Sequence, residues 1–187
     1  MQNLMKEKTV RIYLTGFMTS GKSTIGPILA NVLGWKYADL DRVIESAENL
    51  EITSIFEQKG EKYFRETEEK HLDAVSCEEE IVISLGGGTM NSEKNRQLIK
   101  QKGLLIYLEA SEKTIFRRLR NKIDRPIFRD LVLDESPEVD FQKRINQLMK
   151  EREAHYRLAD ISMRTDLSPI GVTVDSLVKK VSRKIYG

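Results

Sequence analysis

The sequence predicts an α/β protein with three layers, helices covering both faces of a five-stranded parallel sheet. Two observations point there. Short apolar runs alternate with longer segments whose apolar residues recur at helical spacing, the pattern of strand-helix-strand units joined by right-handed crossovers. The short runs lack polar alternation, as strands covered on both faces do. A length of 187 residues suits one hydrophobic core, so residues 1–187 are expected to form a single domain.

The first strand is expected at residues 10–15, the first helix at 22–33 and a weaker strand at 36–39. Residues 61–77 read as the next helix. Strands at 81–85, 104–108 and 161–164 then alternate with helices at 92–102, 111–120, 137–159 and 169–186. Typical of the helical pattern are Leu98 with Ile99, and Ile115 with Phe116 and Leu119. Ser136 before Pro137, and Ser168 before Pro169, each place a capping hydroxyl ahead of a proline suited to the first helical position. Pro27 runs against the pattern. Inside 22–33 it removes a helical hydrogen bond, costing about 3 kcal/mol unless the helix kinks there. Residues 121–135 show no periodicity and are long for a structureless connection, which suits a functional lid.

Charge and cysteine content narrow the partners. The 31 basic and 29 acidic residues leave a net charge of +2, too little to argue for nucleic acid or an anionic membrane. Apolar and charged shares of 40% and 32% are those of a soluble globular protein. Cys77 has no partner in the chain, which fits a reducing compartment, and is expected to be buried or half-buried on a helix. The polar opening residues and the short run at 10–18, broken by Arg11, give neither a signal peptide nor a membrane span. A cytoplasmic monomer is expected.

Gly16-Phe17-Met18-Thr19-Ser20-Gly21-Lys22-Ser23 follows the first strand and opens the first helix, the spacing and setting of a P-loop. Such a loop curls main-chain N–H groups and a helix N-terminus around a polyphosphate; here Thr19, Ser20, Gly21, Lys22, Ser23 and Thr24 would line it. Lys22 would reach the β- and γ-phosphates of ATP, and the Ser23 hydroxyl would bind Mg²⁺.

Asp39 and Asp41 flank Leu40 at the end of the second strand, where period-two geometry sends both side chains to one side. Ligands gather beyond the carboxyl ends of parallel strands, so this pair falls beside Lys22 and Ser23. Asp39 ends the strand and is assigned to Mg²⁺, directly or through water. Asp41 is assigned to an acceptor hydroxyl, with capping of the helix that holds Val43 and Ile44 as its alternative.

From residue 10 to residue 185 the chain resembles the shikimate kinases, within the nucleoside monophosphate kinase-like P-loop fold. The resemblance is carried by residues 16–23, Asp39-Leu40-Asp41, Phe64-Arg65 with Glu68 and Glu69, and Gly86-Gly87-Gly88. Arg125-Pro126 and Arg152 near Tyr156 complete it. It implies transfer of the ATP γ-phosphoryl group to the 3-hydroxyl of shikimate, a step towards aromatic amino acids. A substrate-binding helical segment at about 41–70 and a mobile lid at about 121–135 are implied as well.

On this resemblance Asp41 would bond the 3-hydroxyl, Arg65 and Arg152 would hold the substrate carboxylate, and Gly86, Gly87 and Gly88 would bring main-chain N–H groups to the ring hydroxyls. The chemistry agrees: arginine meets a carboxylate with a planar fork, and glycine allows close backbone approach. Arg125 would close on the transferring phosphoryl group. Arg117, or equally Arg118, would stack on adenine, and Phe56 and Phe64 look like the family's ring-packing residues. The family often has a second basic residue near the last strand-helix junction, where this chain reads Asp166-Leu167-Ser168-Pro169.

Two other functions stay open on sequence alone. One is a kinase for another small metabolite such as gluconate, which has less use for two carboxylate-clamping arginines. The other is a nucleotide-binding module that regulates a partner without catalysis. Plainer roles compete for single residues too: Arg65 sits among Glu61, Glu66, Glu68 and Glu69, where surface ion pairs are common and weak, and a glycine triplet can be a simple turn.

Overall fold

Strand β1 (Arg11–Thr15) leads through the glycine-containing loop into α1 (Lys22–Leu33), and the chain returns through β2 (Lys36–Asp39) to α2 (Leu40–Glu48) and α3 (Ile52–Val75). β3 (Ile81–Ser84), a 3₁₀ turn (Thr89–Asn91), α4 (Glu93–Lys102), β4 (Gly103–Glu109) and α5 (Glu112–Arg120) follow. α6 (Glu138–Tyr156), β5 (Ile161–Arg164) and α7 (Ile170–Tyr186) end the fold. The computed structural model describes residues 10–120 and 138–186. The lid expected at 121–135, Arg125, and the Ser136-Pro137 cap lie outside the described residues.

All five strands are parallel, in the order β2-β3-β1-β4-β5. Their side chains divide by alternation. Ile12 and Leu14, with Val82, Ile106 and Leu108, pack under α1 and α7 against Ile25, Leu29, Leu177 and Val181. Tyr13, Ile81, Ile83 and Leu105 face the other way, onto Leu40, Ile44, Ile55, Leu72 and Ile99 of α2, α3 and α4. A third apolar group, with Phe17, Ile115, Leu119, Ile145 and Tyr156, joins the loop after β1 to α5 and α6.

The order of strands positions the site. β2, β3 and β1 are neighbours, so Asp39, the glycine triplet and the P-loop all leave the sheet at adjacent carboxyl ends.

Several expectations change in detail. α1 is one uninterrupted helix with Pro27 inside it; the residue lies on the exposed side, where the ring meets solvent. α3 bends at Gly60, whose φ of 81° is left-handed, and the limb after this bend is the helix expected from residue 61. α2 and the first limb of α3 escaped the periodicity argument because each buries little; α2 offers only Leu40 and Ile44 to the core. Cys77 is exposed, because α3 ends at Val75 and leaves it in the turn beyond, its thiol donating to the Asp73 carbonyl. α7 starts at Ile170, and the Pro169 carbonyl accepts from Thr173 N–H in its first turn.

Candidate active site

The P-loop is a backbone device held from three sides. Gly16 and Gly21 adopt φ of 149° and 114°, and a Cβ on Gly16 would stand 2.5 Å from the Leu108 carbonyl oxygen. Thr19 takes φ of 60°, a left-handed conformation that a β-branched residue reaches at a cost of order 1–3 kcal/mol. The surroundings hold it there. Arg118 Nη1 of α5 donates to the Thr19 carbonyl at 2.8 Å, and Thr165 Oγ1, just past β5, donates to the Ser20 carbonyl at 2.6 Å. Lys22 Nζ donates to the Gly16 and Phe17 carbonyls at 2.8 and 3.3 Å.

By geometry the first-turn N–H groups of a helix point beyond its N-terminus, which for α1 is the side of the loop. The Thr24 N–H already bonds the Gly21 carbonyl at 3.0 Å. Thr19 Oγ1 and Ser20 Oγ are buried without a hydrogen-bond partner among the described residues. Of the two arginines proposed for adenine, Arg118 reaches the loop and Arg117 is exposed.

Asp39, rather than Asp41, caps α2: its Oδ1 accepts from Arg42 N–H at 3.5 Å. Asp41 sits in the first helical turn, where the helix dipole favours a negative charge. Its carboxylate is turned to the glycine triplet. A Cβ placed on Gly86 would lie 2.6 Å from Asp41 Oδ1.

The same construction orders the rest of the site. A Cβ on Gly87 would lie 2.8 Å from Arg152 Nη1, and one on Gly88 would lie 2.8 Å from both Nη1 and Nη2 of Arg65. Three successive glycines therefore lie against three side chains from α2, α6 and α3. No larger residue fits this floor without displacing a charged group.

Arg65 is held in place by more than a surface pair. Glu61 accepts from its Nε and Nη2 at 3.3 and 3.2 Å, an exposed contact worth little. Glu68 is different. It is 1% exposed and accepts from Arg65 Nη1 at 2.9 Å and from Thr89 Oγ1 at 2.6 Å. A buried carboxylate needs such partners, and breaking them is costly, so Glu68 fixes the guanidinium beside Gly88. Phe64 and Phe56, 4.6 Å apart, lie beneath that guanidinium at 5.2 and 6.0 Å. Glu68 stood in the sequence as one of several nearby acids; its spacing of three from Arg65 was the usable signal.

Arg152 rests on the Phe17 ring of the P-loop at 5.8 Å, and its Nη1 is buried without a hydrogen-bond partner among the described residues. Phe17 thus joins the phosphate loop to the second arginine, a link that sequence reasoning missed. One turn on, Tyr156 stacks on Tyr107 at 4.9 Å. Burial pushes the Tyr156 hydroxyl up, against the pull of Arg152, and burial with the Glu109 charge pushes Tyr107 up to about 12. Both rings are uncharged packing near Arg152.

Asp166 stands where a basic residue was looked for. It accepts from the Ser111 N–H at 2.8 Å and pairs with Arg164 at 3.4 Å. Burial opposes its ionisation, but the Ser111 hydroxyl and N–H, then Arg164, outweigh this and hold its pKa at about 2. It ties the start of α5 to the end of β5.

Comparison with known proteins places this arrangement. The family model described as shikimate kinase matches residues 18–183. The shikimate kinase of Chloroherpeton thalassium is 42% identical over 179 residues, covering 96% of this chain and 96% of that protein. Among solved structures, the shikimate kinase of Bacteroides thetaiotaomicron superposes with a TM-score of 0.82 at 31% identity, covering 95% of this chain and 98% of its own. That of Acinetobacter baumannii, in complex with shikimate, gives a TM-score of 0.84 at 29% identity, with 97% of each chain covered.

Proposed function

The chain belongs to the shikimate kinase family and is an ATP-dependent kinase of shikimate, and we propose that the phosphoryl group goes to the 3-hydroxyl through residues ranged along the glycine triplet. One observation carries this division of roles: Gly86, Gly87 and Gly88 lie against Asp41, Arg152 and Arg65 in turn.

Arg65 and Arg152 take the substrate carboxylate. Two guanidinium groups beside one glycine floor can hold a small acid with paired N–H···O bonds, and the buried Arg152 Nη1 has a proton to give. The triplet brings main-chain N–H groups to the ring hydroxyls. Asp41, at the opposite end of the floor, accepts from the 3-hydroxyl, orients its oxygen and takes the proton as the new oxygen–phosphorus bond forms and the bond from the γ-phosphorus to the bridging oxygen breaks, releasing ADP. Phosphoryl transfer passes through a loose transition state, so positioning and charge neutralisation supply most of the rate.

Lys22 exchanges the Gly16 and Phe17 carbonyls for the β- and γ-phosphates, within the loop that residues 19–24 line. Arg118, already on the loop, serves the adenine side. Arg125, outside the described residues, keeps the lid role on the transferring phosphoryl group.

Magnesium fits this site. Ser23 and Asp39 offer hydroxyl and carboxylate oxygens, the hard donors it prefers, and a metal shared with nucleotide phosphates needs only one or two from protein. No group of three His, Cys, Asp or Glu side chains among the described residues is arranged to hold a metal alone. When bound, the ion neutralises phosphate charge. The reading is of a cytoplasmic monomer that meets ATP and shikimate, with no nucleic acid or membrane partner. No helix of the described residues is long and apolar enough to cross a membrane.

A coupled assay of the purified chain with Mg-ATP tests the reading. ADP release is expected with shikimate and not with gluconate or a nucleoside monophosphate, and phosphorus-proton coupling in the product should report phosphate on the 3-oxygen. Phosphate on another hydroxyl would remove the role given to Asp41.

A further inference from the structure

Directly after the glycine triplet, the 3₁₀ turn Thr89–Asn91 is held by two consecutive residues of α4. Asn95, 2% exposed, donates from Nδ2 to the Thr89 carbonyl at 3.1 Å. Arg96 donates from Nη1 to the Met90 and Asn91 carbonyls at 2.6 and 2.9 Å. All three carbonyls of the turn therefore accept from α4 side chains. The rest of the Arg96 fork is occupied by Glu93, through Nε at 3.1 Å and through Nη2.

Arg96 also reaches across to α6. Its Nη1 stands 3.5 Å from His155 Nε2, and the other ring nitrogen of His155 is buried without a hydrogen-bond partner among the described residues. His155 lies three residues beyond Arg152, one helical turn along the same face. The glycine floor and Arg152 thus meet twice: directly at Gly87, and through the turn, Arg96 and His155.

We propose that Arg96 is a positioning residue for the acid-binding half of the site, fixing the spacing between the glycine floor and Arg152 by joining the 3₁₀ turn to His155. It touches neither substrate nor phosphate and acts through the groups it holds. A planar fork suits this task, because Nη1 gives its two hydrogens to the turn carbonyls, Nε and Nη2 hold the Glu93 carboxylate, and the same rigid plane stands against the His155 ring, which a lysine ammonium on a flexible stem cannot reproduce. The inference rests on the reading that Arg152 and the triplet hold the substrate acid.

The test is steady-state kinetics with shikimate and ATP varied in turn, on the native chain, Arg96→Met, Arg96→Lys, His155→Leu, His155→Gln and the Arg96→Met/His155→Leu pair. Arg96→Met is expected to raise KM for shikimate about tenfold and to move KM for ATP less than about twofold. Arg96→Lys recovers little of the loss. His155→Leu raises KM for shikimate about threefold in the native background and adds nothing to Arg96→Met, since both break one joint, while His155→Gln keeps a polar group at the contact and stays within about twofold.

A native KM for shikimate in Arg96→Met, a parallel rise in both KM values, or full multiplication of the two effects in the pair would overturn the proposal. Should Arg96→Met fail to fold, the histidine variants decide: equal KM values for shikimate in His155→Leu and His155→Gln sink it. A native chain without turnover of shikimate would sink the functional reading instead, so the two failures are distinct.

Discussion

The two ends of the site are built on opposite principles. In the proposed reading the phosphate end is built from eight consecutive residues whose main-chain atoms do most of the work, with Lys22 as the long side chain among them that turns to the phosphates. At the proposed acid end the main chain supplies a bare floor, and the side chains ranged against it come from α2, α3 and α6, from positions as far apart as Asp41 and Arg152. A continuous device keeps its geometry as long as its own strand and helix keep theirs. An assembled one depends on every element that contributes, and on residues such as Glu68 that hold the contributors still.

The contrast predicts different kinetic signatures for damage at each end. Lys22→Ala should lower kcat/KM for ATP by about 10³-fold, because the transferring phosphates lose a charge that water replaces poorly. Asp41→Asn should lower kcat by about 10²–10³-fold and leave ATP affinity, read by calorimetric titration, within about twofold. If Asp41→Asn weakened ATP as strongly as Lys22→Ala does, the two ends would be one mechanical unit and the comparison would fail. Normal turnover by Asp41→Asn would reduce Asp41 to a helix-start charge.

Arg152→Lys sharpens the comparison from the acid end. Lysine keeps the positive charge but gives up the fork that reaches both Gly87 and the Phe17 ring. KM for shikimate should rise about 10- to 100-fold, with KM for ATP nearly native. A large change in KM for ATP would show instead that the Phe17 contact transmits damage from one end to the other.

What the sequence disclosed follows the same division. The P-loop was legible because its constraints are local: Gly16 is required by the Leu108 carbonyl, Gly21 by a left-handed φ, and both stand at fixed offsets from Lys22. The inner strands β1 and β3 were legible because burial on both faces leaves little choice of residue, whereas β2, with no buried residue, read only as a weaker strand. The acid end is proposed through resemblance, since nothing in Arg65 or Arg152 alone separates a carboxylate clamp from an ordinary surface charge. The alternative reading of Asp41, as the cap of α2, falls to Asp39 two residues earlier, because either aspartate satisfies the local rule and only the end of β2 decides. Phe17, Asn95 and Arg96 were illegible in the roles the structure suggests for a related reason. Their roles exist only between elements that the fold brings together, and no local rule reports such a meeting.

The smallest expected effect probes the frame around the phosphate end without touching its chemistry. Asp166 follows Thr165, whose hydroxyl bonds the Ser20 carbonyl, and its own carboxylate holds the Ser111 N–H at the start of α5. Its pKa is lowered from 3.8 to about 2, so the folded chain favours the ionised form. That stabilisation is complete above the unfolded value and is lost as pH falls through the folded one. Between about pH 4 and pH 2 the native chain should therefore lose stability more steeply than Asp166→Asn, measured as urea midpoints across that range. At pH 7 the variant should melt about 2–4 °C lower, with KM for shikimate unchanged. A raised KM for shikimate would mean that the α5 frame reaches the acid end, whereas identical acid limbs would mean that Ser111 and Arg164 stabilise Asp166 no better than water does.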